Sequence, residues 1–417
     1  MVESHSASMP RLHCLDWLRV FAIGVLVVYH IGMVYVPDWG YHFKNPLNSD
    51  LIQSFMLLTS PWRMGLLWLI SGMAFVHMCH GKSLFGLALK RSNQILLPLL
   101  IGVLFVVPFQ LFAQMKQAGD MPLDFIDFAY AFYIRPQDYF VQYSSGIWPR
   151  FDVNHLWFLR SLWRYSMVIL ILSPFLKSAF VKKVCSLIAS NIVYLVLVIA
   201  IPIAVIETFL EGEDVRESYG LTMLLIGYCF GMQAAFWQSL SRHLVSMCIL
   251  SLVAILGLQI GFVLIWQNEL HQANQALALI IETIYLANKI LPLLAILGLS
   301  YRFLNHPNTL IRALNPYVFG LYVLHQSVII FVAYVATTCL PTKSPVSFIQ
   351  AAEYQIWINM LVTPLICAAL LLAIARFNIL RICFGMRWKN KADPYQSGLT
   401  NTIVFLVCLP LMIALVI

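Results

Sequence analysis

Charge is scarce in this chain. Lysine, arginine, aspartate and glutamate make up 11% of its 417 residues, where a soluble domain carries about 25%. The hydrophobic share is 61% and the mean hydropathy is +0.82. A water-soluble protein of this length could not hide so much apolar surface, so disordered, collagen-like and ordinary globular classes are excluded. The nine cysteines form no CxxC pair, which argues against a disulfide framework and a zinc site. GxSxG, HExxH, GxxxxGK[ST] and GxGxxG are all absent, which narrows the catalytic field. His77, Cys79 and His80 lie together without supporting ligands, so no metal is expected. No repeat of 20–50 residues and no inverted repeat is evident, which weighs against a transporter.

Long apolar runs are what the chain has. A bilayer core of roughly 30 Å needs about 20 apolar residues per helix. Eleven runs qualify: 18–36, 53–76, 93–113, 156–176, 187–209, 219–237, 244–266, 276–300, 316–337, 355–375 and 401–417. The short alternating segments of a barrel are missing. The expected fold is an all-α polytopic membrane helix bundle: ten core spans within 18–375 and an eleventh at 401–417. A cytosolic N-terminus (1–17), a long outer loop (114–155) and a basic linker (376–400) complete it. No secretory signal is expected, because residues 1–17 are polar and the first apolar run is long enough to span.

The net charge of +8 is informative through its placement. With the N-terminus inside, inner segments hold sixteen Lys and Arg residues and outer loops six, Arg160 and Arg164 near an outer end aside. Cytosolic loops collect such residues, so the N-terminus is expected in the cytosol and no nucleic-acid partner is expected. The outer loop interleaves Asp120, Asp124, Asp127, Asp138 and Asp152 with Tyr130, Tyr133, Tyr139, Tyr143, Trp148 and Phe151. That mixture suits sugar hydroxyls and ring faces, and equally an interfacial aromatic belt.

Polar residues inside the spans are the candidates for chemistry, since they are expensive in lipid. Asp16 and Arg19 sit at the inner mouth of the first span, and His30 lies deep within it. Eleven residues at 100° each make about three turns plus 20°, so Arg19 and His30 share a face about 16 Å apart. His325 in the ninth span lies at a depth within roughly 5 Å of that of His30. Arg63 in the second span needs a partner, and Ser71-Gly72 would let helices approach closely. Lys90 and Arg91 at the inner mouth of the third span suit phosphates or the positive-inside rule alone. Trp157, Arg160 and Arg164 share a face of the fourth span, just after His155.

These segments resemble the acyltransferase 3 family of membrane acyltransferases. LDWLR with Arg19, ten residues and His30 resembles the opening signature of that family. WRMGLLWLISG, RSNQILLP, HLWFL and YVFGLYVLH resemble later spans in order, so the resemblance covers 12–375. HLWFL and the Arg-Met before ISG are most similar to the branch of the glucan succinyltransferases, the glucans biosynthesis protein C type. Two positions depart from the pattern. Gln94 stands where an Arg91-x-x-Arg pair is usual, and Leu162 stands at the acidic position of the other branch's Trp-Ser-Leu-x-x-Glu motif.

The resemblance implies transfer of an acetyl- or succinyl-type group from cytosolic acyl-CoA to a hydroxyl of a glycan or other envelope carbohydrate. The implied location is a bacterial cytoplasmic membrane. Acyl-CoA is then a donor substrate and no bound cofactor is needed. His30 would be the general base, with Asp16, Arg19 and His325 in the catalytic set. Arg19, Lys90, Arg91, Arg63 and Ser71 would serve the donor. His155, Trp157, Arg160 and Arg164 would serve the acceptor. Membrane lipid is a partner, and a homodimer is compatible with this reading. The competing readings are a multi-span transporter of a polar solute and a non-catalytic family member acting as a sensor or membrane partner.

Overall fold

The computed structural model describes residues 11–78, 83–135, 138–143, 146–339, 351–388 and 398–416. The fold is all-α, with no strand among the described residues. In chain order the helices begin with α1 (Cys14–Met33), α2 (Asp50–Leu57), α3 (Arg63–Met78), α4 (Leu84–Ile101), α5 (Pro108–Ala118), α6 (Phe125–Tyr133) and α7 (Trp157–Leu176). They continue with α8 (Ala179–Ser190), α9 (Ile192–Phe209), α10 (Gly212–Phe230), α11 (Ala234–Arg242), α12 (Leu244–Gly261), α13 (Leu270–Ala273) and α14 (Gln275–Leu304). The last are α15 (Thr309–Leu314), α16 (Val318–Cys339), α17 (Ala351–Ile374), α18 (Asn378–Cys383) and α19 (Gly398–Val416).

Among the described residues, eight helical stretches are long and apolar enough to cross a membrane, and the pair α10–α11 would make a ninth. Arg63–Val76 and Thr400–Val416 are apolar but shorter. The runs read from the sequence are therefore largely helical, but three of them break, the one expected at 187–209 at the extended Asn191 between α8 and α9. The run expected at 53–76 is interrupted between α2 and α3, where Pro61 has no amide hydrogen and disfavours helix at Ser60. Arg63 consequently opens α3, where its Nη1 donates to the Ser60 carbonyl at 2.9 Å. The run expected at 219–237 bends by 101° between α10 and α11. There the Trp237 indole clasps the Gly231 carbonyl at 2.9 Å.

The chain divides into two compact units. The first comprises Met1–Ala22, Leu57–Gly81 and Ile169–Asn315. Its tightest packing is α3 on α10. A Cβ on Gly72 would run into the Leu224 carbonyl, and one on Gly227 into the Leu69 carbonyl. Such glycines let backbones touch where lipid supplies no hydrophobic drive for association. Lys289 on α14 pairs with Glu207 on α9, and its ammonium lies 5.0 Å from the Tyr219 ring centroid.

The second unit comprises Ile23–Met56, Lys82–Val168 and Pro316–Ile417. At its centre is α16, buried over most of its surface from Gly320 to Ala336. A helix apolar all round belongs in a core. Helix α4 runs on into α5 through one π-turn at Gly102–Val106. Pro108 causes it: proline donates no hydrogen bond and its ring clashes with the carbonyl four residues back. The carbonyls freed there find side-chain donors, Tyr133 Oη on Leu104 and Ser327 Oγ on Val106 at 2.7 Å. In the long loop, Phe128, Phe132 and Phe140 pack with Phe112, Met115 and Met121 into a small core. The loop thus has a folded interior, with Tyr130 and Tyr133 on its surface. Helix α19 docks through Asn93 Nδ2 on Asn401 Oδ1 at 3.0 Å and Arg164 on the Leu415 carbonyl at 2.6 Å.

The charge asymmetry fixes an expected orientation. Phe85 on α4 and Tyr130 on α6 are both exposed. In a cysteine-free background, an impermeant thiol reagent applied to intact cells should label Tyr130→Cys and leave Phe85→Cys unlabelled. The reverse pattern would invert the topology.

Candidate active site

The second unit brings two sequence-selected histidines together. His30 lies in the last turn of α1 and His325 in the middle of α16. His30 Nδ1 and His325 Nε2 are 2.7 Å apart, and the two rings are nearly coplanar, 13° apart with centroids at 5.0 Å. His325 Nδ1 lies 2.6 Å from the Tyr322 carbonyl. A carbonyl only accepts, so His325 Nδ1 carries the proton and its Nε2 is the acceptor. His30 Nδ1 is therefore the donor of the pair, which assigns the lone pair of neutral His30 to its Nε2. His30 is half-buried, and His325 is fully buried.

His155 joins this cluster from the 3-10 turn Asn154–Leu156 just before α7. Its ring stands edge-on to His325 at 82° with centroids 5.2 Å apart. Its Nε2 donates to the Val323 carbonyl at 3.0 Å, and its Nδ1 accepts from Gln110 Nε2 at 3.1 Å. Gln110 is the hub. Its Nε2 also lies 2.8 Å from Ser327 Oγ, and its Oε1 accepts from Gln326 at 3.1 Å and Asn154 at 3.2 Å. The Tyr322 hydroxyl donates to the His155 carbonyl. In a medium without water, each such polar atom must be answered by another.

The segment between α1 and α2 also contributes to this site. Lys44 Nζ gathers the carbonyls of Met33 at 3.0 Å, Trp39 at 2.9 Å and Val36, satisfying acceptors left at the end of α1. Asn45 then ties the loop to Thr337 on α16 at 3.1 Å and to Gln355 on α17. The loop sets the Tyr41 ring 6.2 Å from that of His30. Tyr41 Oη is shut off from solvent and has no hydrogen-bond partner among the described residues.

The other sequence-selected residues lie as follows. In the second unit, Arg91 donates through Nε to Ser166 Oγ at 3.3 Å, and Lys90 beside it is half-buried. On α7, Trp157 and Arg160 are half-buried and Arg164 is exposed. In the first unit, Asp16 accepts from Arg11 at 2.7 Å, Arg19 at 3.4 Å and Asn315 at 2.7 Å. Ser71 Oγ bonds back to the Leu67 carbonyl at 2.8 Å. The His77 side chain, Cys79 and His80 lie outside the described residues. Sequence reasoning missed Gln110, Gln326, Ser327 and Tyr41. The first three are polar residues inside apolar runs, the same signal that singled out His30. Tyr41 follows its span and carried no such mark.

A family model described as an acyltransferase domain matches residues 12–375. No curated protein matches, and no solved structure matches.

His42, next to Tyr41, links the site to pH. Burial holds its imidazole below the ordinary range, against the opposing pull of Gln114 and Asp152. Its Nδ1 lies 3.0 Å from Gln114 Oε1 and donates to it. Below about pH 6.5 the unfolded chain binds a proton that the folded chain resists, so this contribution to stability rises with pH and is lost as pH falls. The melting temperature of wild type relative to His42→Gln should therefore drop between about pH 7 and pH 5.5. Parallel curves for the two proteins would show that His42 contributes nothing to the pH dependence.

Proposed function

The chain belongs to the acyltransferase 3 family of membrane acyltransferases, and from that premise we propose that it moves an acyl group from a cytosolic acyl-CoA to a hydroxyl of a glycan or other envelope carbohydrate. The observation that carries this reading is the 2.7 Å bond between His30 and His325, with His325 itself tied to a backbone carbonyl. A base oriented by a second group, which is oriented in turn by a third, is the arrangement that general-base and nucleophilic catalysis share.

His30 Nε2 takes the proton of the acceptor hydroxyl as its oxygen attacks the thioester carbonyl. The tetrahedral intermediate collapses, the carbon–sulfur bond breaks, and the proton passes from His30 to the departing thiolate. The products are an ester and the free thiol, and the histidine returns to its neutral form. His325 is a positioning residue. Its Nε2 accepts from His30 Nδ1, which aims the opposite nitrogen and steadies the imidazolium formed in mid-reaction. The Tyr41 hydroxyl supplies a donor for the developing oxyanion. Lys90 and Arg91 offer cations to the phosphates of the donor, Arg91 from a side chain already steadied by Ser166. On α7, Trp157 and Arg160 offer a stacking ring and a guanidinium to the acceptor.

The roles separate in kinetics. His30→Gln should fold but lose about 10² or more in turnover, since general-base catalysis contributes typically 10²–10⁴-fold. His325→Ala should lose less and keep donor affinity. Acyl transfer by detergent-purified variants, each with a melting curve, measures this. Near-wild-type turnover in His30→Gln would remove the assignment.

Arg91→Ala should raise the donor KM more than it lowers kcat, the form taken by loss of uniform binding. A change confined to acceptor kinetics would take Arg91 out of the donor site.

A further inference from the structure

In the second unit, backbone strain in the long loop centres on Arg150. Trp148, Pro149, Arg150 and Phe151 make a tight turn. The Phe151 amide donates to the Trp148 carbonyl at 2.8 Å, and the Trp148 amide to the Phe151 carbonyl at 3.2 Å. Proline suits the second position of a turn, and a third position at positive φ is ordinarily glycine or asparagine. Here it is arginine, with φ 73°. A side chain at that φ costs free energy, and residues kept there cluster at binding and catalytic sites.

The side chain adds to that cost. The guanidinium carbon lies 5.8 Å from the Phe132 ring centroid and 5.7 Å from that of Phe140. Both rings belong to the small core of the loop. They attract the cation but accept none of its hydrogen bonds in the plane of the fork. Arg150 Nε is buried with no hydrogen-bond partner among the described residues. No carboxylate among those residues pairs with Arg150, and Asp152 nearby spends Oδ1 on the Val153 amide at 2.6 Å. A strained backbone, an orphaned N–H and a cation without a counter-charge all count against stability, and a glycine here would remove all of them. What the arginine gains therefore lies outside the chain. A guanidinium fixed by two rings, with its fork unanswered, fits an oxyanion, either carboxylate or phosphate.

The same segment leads to the histidines. Asn154, also at positive φ (42°), donates to Gln110 Oε1 at 3.2 Å, and Gln110 donates to His155. We propose that Arg150 binds an anionic group on the acceptor saccharide, its fork on the carboxylate or phosphate oxygens, with the half-buried Trp148 of the same turn offering a ring to the sugar. That the saccharide is the acceptor rests on the acyltransferase reading; the anion site does not. Binding at Arg150 holds the acceptor by a group remote from its reacting hydroxyl, and remote binding of that kind positions the reacting end without touching it.

The test is calorimetric titration of the full-length protein in phosphatidylcholine nanodiscs with tetragalacturonate and with its fully methyl-esterified form, which keeps the sugar and loses the charge. Wild type should bind the acid at least about tenfold more tightly than the ester, because charge-assisted hydrogen bonds are lost with the charge. Arg150→Ala should abolish that preference, and Arg150→Lys should keep part of it. Arg150→Gly separates binding from a structural role. It should also abolish the preference, while its melting temperature holds or rises, because glycine takes positive φ without strain. A lowered melting temperature in Arg150→Gly, no preference in wild type, or an unchanged preference in Arg150→Ala overturns the proposal. Adding phosphatidylglycerol to the nanodiscs separates the sources of the anion. If that lipid displaces the acid from wild type and is enriched around wild type but not around Arg150→Ala, the site belongs to a headgroup and the saccharide assignment fails. Charge-selective binding by a protein that consumes no thioester would remove the acyl-transfer reading and leave the anion site. Acyl transfer to tetragalacturonate in which Arg150→Ala matches wild type at every acid concentration would do the opposite.

Discussion

Three successive polar residues on α16 constrain the second unit more than any other feature. His325, Gln326 and Ser327 sit at the middle of a helix buried nearly all round. Consecutive side chains on a helix point about 100° apart, so all three cannot share one partner, although Gln110 reaches both Gln326 and Ser327. Each must be answered, because an unanswered polar group in this interior costs several kcal/mol. His30 of α1 answers His325, Gln110 of α5 answers Gln326, and the Val106 carbonyl answers Ser327. The positions of α1 and α5 around α16 follow from those three bonds.

The π-turn is the device that makes the third bond available. An uninterrupted α-helix would satisfy the Val106 carbonyl internally. Pro108 breaks the pattern, and the register slips to the bond from the Val107 amide to the Gly102 carbonyl at 2.9 Å. Single π-turns of this kind recur at functional sites, and this one exposes a backbone acceptor without ending the helix. Here the freed acceptor holds Ser327, which accepts from Gln110, which reaches His155. The proline five residues before the end of the span expected at 93–113 thus bears on the setting of His155, 47 positions further along the chain.

Much of this was legible in the sequence, and the reasons are physical. Polar residues in apolar runs are costly, so His30 and His325 announced themselves, and helical rise placed them at one depth. That Gln110 would be the hub was not legible, because its partners lie up to 217 positions away and no periodicity encodes them. The breaks at Pro61 and Gly231 were local and could be suspected, but apolarity alone reads through them. The aromatic loop was ambiguous for a different reason. Its phenylalanines form an interior of their own, and composition does not say whether a ring faces in or out. The neighbourhood of Asp16 held two alternatives, interfacial pair or catalytic group; its actual ring of Arg11, Arg19 and Asn315 draws on a residue 299 positions away.

The two units answer buried polarity in different ways, and the difference bears on where chemistry can occur. The first holds an ion pair, Lys289 with Glu207. Such a pair tolerates no change in charge, because removing either partner leaves an uncompensated charge away from water. The second holds a chain of neutral groups: carbonyl, imidazole, imidazole. A proton arriving at one end of that chain creates a single charge that two rings and a carbonyl dipole can share, and its departure restores the starting state. General-base catalysis needs a group that can be charged briefly and discharged again. On that ground the neutral chain ending at His30 is suited to turnover, and the ion pair is suited to holding helices together.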